Sequence, residues 1–101
     1  MLNHEKRRST VTVWLSGDLD HNTAEQIREE LDELIADPKV NRLVFDLSGL
    51  EFMDSSGIGM MIGRYRIMTR RGGSVAVRAG SSQVERLIEL AGLYRIVEKL
   101  A

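Results

Sequence analysis

Ser55 and Ser56 stand side by side in Phe52-Met-Asp-Ser-Ser-Gly57, where an apolar strand pattern gives way to a helical one. A hydroxyl at a helix start has two uses. It caps free backbone N–H groups, or it accepts a phosphoryl group, an anion that those N–H groups and the helix macrodipole tolerate. Capping alone would select Asp, Ser and Gly at this place. Asp54 or Ser55 suffices as the cap, however, and that leaves Ser56 without a structural duty.

Upstream, Leu43-Val-Phe-Asp-Leu47, bounded by Ser48-Gly49, reads as a buried strand. Downstream, at about 100° per residue, Ile58, Met61, Ile62, Tyr65 and Met68 gather into a core stripe. Ser56, Met60, Gly63 and Ile67 fall on the far side, with Arg64 and Arg71 beside them. The expectation is an outer helix face on which Ser56 shares space with two exposed apolar side chains. Such a face suits docking. Phosphorylation of Ser56 would set a charge of about −1.5 to −2 in its middle, and an unpaired charge in an interface costs several kcal/mol. Ser56 is chosen over Ser55 on the strength of this face.

Other chemistries fit the residues less well. Neither serine has the Gly-x-Ser-x-Gly frame of a hydrolase, and His21 lacks an orienting partner for a nucleophile–base pair. Gly57-Ile-Gly-Met-Met-Ile-Gly63 resembles a dinucleotide loop, but its third glycine comes one residue too late and no ribose-binding acid follows. A receiver domain phosphorylated on Asp46 or Asp54 would need an acidic cluster after the first strand and a later lysine. Gly59 and Gly63 are better explained by close approach of a partner, or of a strand, to the helix.

The elements that must position the serines are short and alternate. Val11, Val13 and Leu15 mark one face of a strand ended by Gly17, with Trp14 on the other face, expected to pack in the core. Asn22 or Thr23 is expected to cap a helix with the buried stripe Ile27, Leu31, Leu34 and Ile35, stopped at Asp37-Pro38. The serine-led helix ends at Gly72-Gly73, Ser74 to Arg78 form a strand, and Ser82-Gln-Val-Glu85 reads as a capping box. Val84, Leu87, Ile88 and Ala91 form the last helix stripe, and Ile96-Val97 a final short strand. Alternation with short links indicates an α/β domain with a mixed or mostly parallel sheet.

Composition bounds the rest. A chain of 101 residues buries roughly 60 to 65% of its unfolded surface as one domain, residues 1–101. Without cysteine there is no disulfide or thiolate metal site, and His4 and His21 lack ligand spacing, so neither metal nor cofactor is expected. No apolar run suits a membrane span or signal peptide, so the protein is expected to be cytoplasmic. The net charge of −1 hides a division: Asp18 to Asp37 is strongly acidic, whereas Arg64 to Arg78 holds five arginines and no acid. Few aromatics and scattered arginines argue against direct nucleic-acid binding and for steering of a charged protein partner.

Asp46-Leu-Ser-Gly-Leu-Glu-Phe-Met-Asp-Ser-Ser-Gly-Ile-Gly59 resembles the phosphoacceptor region of bacterial anti-sigma factor antagonists of the STAS domain family. Gly17-Asp-Leu-Asp-His-Asn-Thr-Ala-Glu25 resembles the family's loop before its first helix, and Gly63-Arg-Tyr-Arg66 fits the sporulation branch. The resemblance runs from about Ser9 to Val97. It implies a single α/β STAS-like domain, a mixed sheet of about four to five strands with about three to four helices.

It also implies that Ser56 is phosphorylated by a partner that is both anti-sigma factor and ATP-dependent serine kinase. Unphosphorylated protein would bind that partner and release the sigma factor, and a serine phosphatase would reset the switch. The implied partner surface comprises Asp20, His21, Asn22, Thr23, Asp54, Ser55, Gly57, Gly59, Met60, Gly63, Arg64 and Ile67. A monomer or weak dimer with no backbone shift on phosphorylation is expected. Two departures from the family stand out: the first strand falls on the charged Asn3 to Arg8 and is expected to be short or frayed, and no further helix follows the last strand. The alternative is a scaffold or adaptor STAS subunit of a stress-signalling assembly, self-associating through its sheet edge and Trp14 face.

Overall fold

The computed structural model describes residues 1–101. Strands β1 (Leu2–Arg7) and β2 (Thr10–Leu19) precede helix α1 (His21–Leu34). Strand β3 (Arg42–Met53), helix α2 (Ser55–Arg70), strand β4 (Ser74–Arg78), helix α3 (Ser82–Leu90), a 3₁₀ turn (Leu93–Arg95) and strand β5 (Glu98–Lys99) follow. The five strands form one mixed sheet in the order β1-β2-β3-β4-β5. The β1–β2 pair is antiparallel and the others are parallel.

Each parallel link steps to the next strand in the same direction. Because such crossovers are right-handed, all three helices fall on one face of the sheet. Val11, Leu43 and Val75 share a register position beneath them, as do Val13, Phe45 and Val77, and all six are buried. Trp14, Asp46 and Arg78 line up on the opposite face. Trp14 therefore does not enter the core: no helix lies over it, and it is 38% exposed.

Several boundaries differ from their expected places. The first strand is not frayed but pairs over its whole length from Leu2↔Leu15 to Arg7↔Thr10; its charges suit a sheet edge, where they discourage pairing with another chain. β2 does not end at Gly17. It continues to Leu19 through register shifts against β3 at Trp14/Ser16 and Gly17/Asp18, the glycine taking φ +80°. β3 likewise runs past Ser48-Gly49, where a Cβ on Gly49 would stand 2.9 Å from the Leu15 carbonyl oxygen.

Near the C-terminus, the cap of α3 is Ser81 rather than Ser82, accepting the Val84 N–H. Ala91 is exposed, and β5 lies two residues beyond Ile96-Val97 because Leu93–Arg95 form a 3₁₀ turn.

The extended ends of β2 and β3 matter most for function. The Asp54 N–H donates to the Leu19 carbonyl at 3.1 Å, joining the strand ends just before α1 and α2 begin. Gln83 Nε2 donates to the Met53 carbonyl at 3.1 Å and ties α3 to the same point. Two helix starts thus stand side by side at the C-terminal ends of the inner strands β2 and β3, the usual place for a site in parallel α/β folds.

Candidate functional site

Asp54, in extended conformation, is the N-cap of α2, and its Oδ1 accepts the Ser56 N–H at 2.8 Å. With the cap supplied by Asp54, Ser55 is exposed on the first turn and Ser56 is half-buried. The Ser56 hydroxyl takes part in none of the chain's hydrogen bonds, and only its backbone N–H is engaged. Gly57 explains the tight fit of this turn on the sheet. A Cβ there would lie 2.7 Å from Met53 Cγ and 3.0 Å from Leu19 Cδ2.

The neighbouring helix start is capped by Asp20, not by Asn22 or Thr23. Asp20 Oδ1 accepts the Asn22 and Thr23 N–H groups at 2.9 and 3.1 Å. Thr23 Oγ1 accepts the Asp20 N–H at 3.0 Å and donates to the Asp18 carbonyl at 2.8 Å. This reciprocal box is a variant of the Ser/Thr-x-x-Glu pattern with threonine at its third position. The side chains of Asp20 and Thr23 therefore shape the loop, leaving His21 and Asn22 exposed.

Between the helices lies a groove of about 300 Å³, lined by His21, Ala24, Glu25 and Arg28 of α1 and by Ser56, Gly59, Met60 and Arg64 of α2. It alters the expected picture of α2. Met60 is only 6% exposed, Arg64 8%, and Ile67 is half-buried against the core, because α1 lies along the side of α2 that helical periodicity assigned to solvent. Gly59 and Gly63 are open: a Cβ on either would meet nothing within 4 Å, so no strand approaches them.

Arg64 is the least satisfied group in the groove. Its Nε lies 3.1 Å from Asp32 Oδ1, but the pair is not aligned for a hydrogen bond, and Arg64 Nε, Arg64 Nη1 and Asp32 Oδ1 are all buried without one. Burial pushes the Arg64 pKa down, Asp32 pulls it back up and the nearby Arg28 adds to the fall. The guanidinium nonetheless remains a cation, as arginine does in proteins. Arg28 itself is half-exposed and paired with Glu25 at 3.4 Å.

The structure gathers Asp20, His21, Asn22, Thr23, Asp54, Ser55, Ser56 and Gly57 at the two helix starts, with Gly59, Met60 and Arg64 along the groove; Gly63 and Ile67 lie outside its lining. Sequence reading missed Ala24, Glu25 and Arg28. A signal existed, since His21, Ala24, Glu25 and Arg28 follow the i, i+3, i+4, i+7 spacing of one helix face. No group of acidic or histidine residues in the structure has the makings of a metal site.

A mixed five-stranded sheet in this order, with its helices all on one face, is the arrangement of a STAS domain. The STAS domain family matches the chain over residues 1–101, and the chain belongs to it. An anti-sigma F factor antagonist of Paenibacillus polymyxa is 40% identical over 93 residues, 92% of this chain and 80% of that protein. The structure of the anti-sigma factor antagonist SpoIIAA in its unphosphorylated form is similar with TM-score 0.86 and 30% identity, over 100% of this chain and 89% of that one. The Bacillus cell fate determinant SpoIIAA in the phosphorylated form is similar with TM-score 0.78 and 29% identity, over 100% and 92%.

Proposed function

We infer that this protein is an anti-sigma factor antagonist whose binding is switched by phosphorylation of Ser56. One observation carries the choice of residue: with Asp54 supplying the cap, both serine hydroxyls are free of intramolecular hydrogen bonds, but only Ser56 lines the groove between α1 and α2. The relatives named as anti-sigma factor antagonists, and SpoIIAA in two phosphorylation states, support the function.

The partner is an anti-sigma factor with ATP-dependent serine kinase activity. It docks on the two helix starts, over His21, Asn22, Ser55, Ser56 and Gly59, with Asp20, Thr23, Asp54 and Gly57 holding their shape. Docking displaces the sigma factor. A phosphoryl group on Ser56 then places about −1.5 to −2 charges in that contact and ejects the partner, and a serine phosphatase restores the binding form. The protein acts by binding rather than turnover, as a cytoplasmic monomer or weak dimer. No helix is long and apolar enough to cross a membrane.

The test is capture of the anti-sigma F factor of Paenibacillus polymyxa by immobilised wild type, Ser56→Ala and Ser56→Asp. Retention by Ser56→Ala with at least a tenfold loss for Ser56→Asp is expected. Equal retention by all three would reduce Ser56 to a helix-start residue.

The scaffold reading draws on the uncovered sheet face, where Trp14 is 38% exposed. Light scattering separates the two readings: a monomer or dimer favours the switch, a stable megadalton particle the scaffold.

A further inference from the structure

Arg64 presents an unusual problem for a fold of this size. It is more than nine-tenths buried, lines a groove that also holds the unbonded Ser56 hydroxyl, and has no hydrogen bond within the chain. Its contact with Asp32 leaves the buried atoms of both groups unbonded. A buried donor without an acceptor is unfavourable, and oxyanions are the acceptors that match a guanidinium.

Arg28 is a second cation on the opposite wall, held only by Glu25 at 3.4 Å with both side chains substantially exposed. Exposed pairs of this kind contribute little and exchange readily. Side chains on a helix lean toward its N-terminus, and Arg28 meets Glu25 one turn back, so Arg28 leans along α1 toward the Ser56 end of the groove, whereas Arg64 is turned to Asp32. Arg64 begins two turns beyond Ser56. It supplies a fixed charge deep in the groove rather than a direct ligand, while Arg28 has the freedom to reach a group attached to Ser56.

We propose that the α1/α2 groove is an internal receptor for the phosphoryl group on Ser56, with Arg28 pairing directly to its oxygens and Arg64 as the buried counter-charge. This rests on Ser56 being the phosphorylated residue. The phosphoryl group then lies down between the helices instead of projecting into solvent, and Arg28 leaves Glu25 to meet it. The charged and titratable groups that face it are His21, Glu25 and Arg28 from α1, with Asp32 beside Arg64, and Asp54 and Arg64 from α2. Glu25 opposes the phosphoryl group and sets how deeply it sits. Partner loss in this arrangement comes from the added charge beside the docking surface.

The experiment installs phosphoserine at position 56 by genetic encoding, so that no kinase is needed, and follows the second phosphate pKa by ³¹P NMR. An unperturbed value lies near about 6. Cations favour the dianion, so the wild-type value is expected below that, with Arg28→Ala raising it by about one unit, a tenfold change in proton affinity. Arg64→Met raises it less, and Glu25→Gln lowers it further. The helix N-terminus acts equally in all four proteins and cancels.

Should Arg64→Met fail to fold, Arg28→Ala and Glu25→Gln, both at exposed positions of α1, decide the matter. A phosphate pKa that ignores both substitutions overturns the groove receptor. Loss of the partner on phosphorylation would then still stand by itself, since it is read from capture by Ser56→Ala and Ser56→Asp, which does not depend on the phosphate pKa.

Discussion

The backbone N–H of Ser56 donates to Oδ1 of Asp54 at 2.8 Å, so the first turn of α2 is fixed while the Ser56 hydroxyl is left unbonded. The division of labour between these neighbours is what makes position 56 chemically available.

Replacing Asp54 by alanine removes that cap. The expected cost is about 1 kcal/mol, which for a domain of this size lowers Tm by about 4–8 °C. Asp54→Asn keeps an acceptor oxygen and is expected to lose only a fraction of this. Thermal melts of the two variants make the comparison, and an unchanged Asp54→Ala melt would remove Asp54 from its capping role.

Gly57 and Gly59 should respond oppositely to alanine. At Gly57 the added methyl meets Met53 and Leu19, both buried, and overpacking of this kind costs about 1–3 kcal/mol. At Gly59 it meets nothing, and alanine in an open helix position gains about 0.5–1 kcal/mol. Urea denaturation gives both values. Because Gly59→Ala spares the fold, any loss of partner binding it causes reports on the groove surface itself.

Arg71 Nη1 reaches the carbonyl oxygens of Ile35, Asp37 and Val40 at 2.8, 3.2 and 3.1 Å, closing the end of α1 and the loop into β3. Arg71→Met leaves these partly buried acceptors without their charged donor. A loss of about 2 kcal/mol is expected, with faster amide exchange confined to residues 35–41. A uniform change in exchange over the whole chain would contradict this local role.

Asp46 provides a pH test on the open sheet face. Burial raises its pKa, but the Ser48 hydroxyl and N–H and the Arg78 guanidinium outweigh that and hold it below the ordinary carboxylate range. A folded-state pKa below the unfolded value of about 3.9 means that the carboxylate stabilises the fold above about pH 4 and loses this effect as pH falls through the folded value. Asp46→Asn is expected to be less stable at pH 7 and to show a shallower decline below about pH 4. Asp37 and Glu85, also lowered, are present in both proteins, so the difference between the two urea-denaturation profiles isolates Asp46.

The alternation of strands and helices, the buried stripe through Ile58, Met61 and Met68, and a serine pair at a helix start are all properties of residue order. Each depends on contacts within one element or on periods of two and 3.6 residues, and these are written along the chain. Boundaries at bulges and caps were less legible. Gly17 supports a strand bend as well as a strand end, and Asp20 competes with Asn22 and Thr23 for the same cap; only hydrogen-bond geometry separates such local alternatives.

What tertiary structure alone decided is the surface that Ser56 faces. Periodicity tells which side of α2 is most apolar, but not what stands against the other side. Three same-handed crossovers set α1 beside α2 on one sheet face, turning an expected open docking face into a groove that buries Met60 and Arg64. The same handedness leaves Trp14 uncovered. The hydroxyl and its helix belong to the sequence; the two arginines gathered in its groove belong to the packing of elements distant along the chain.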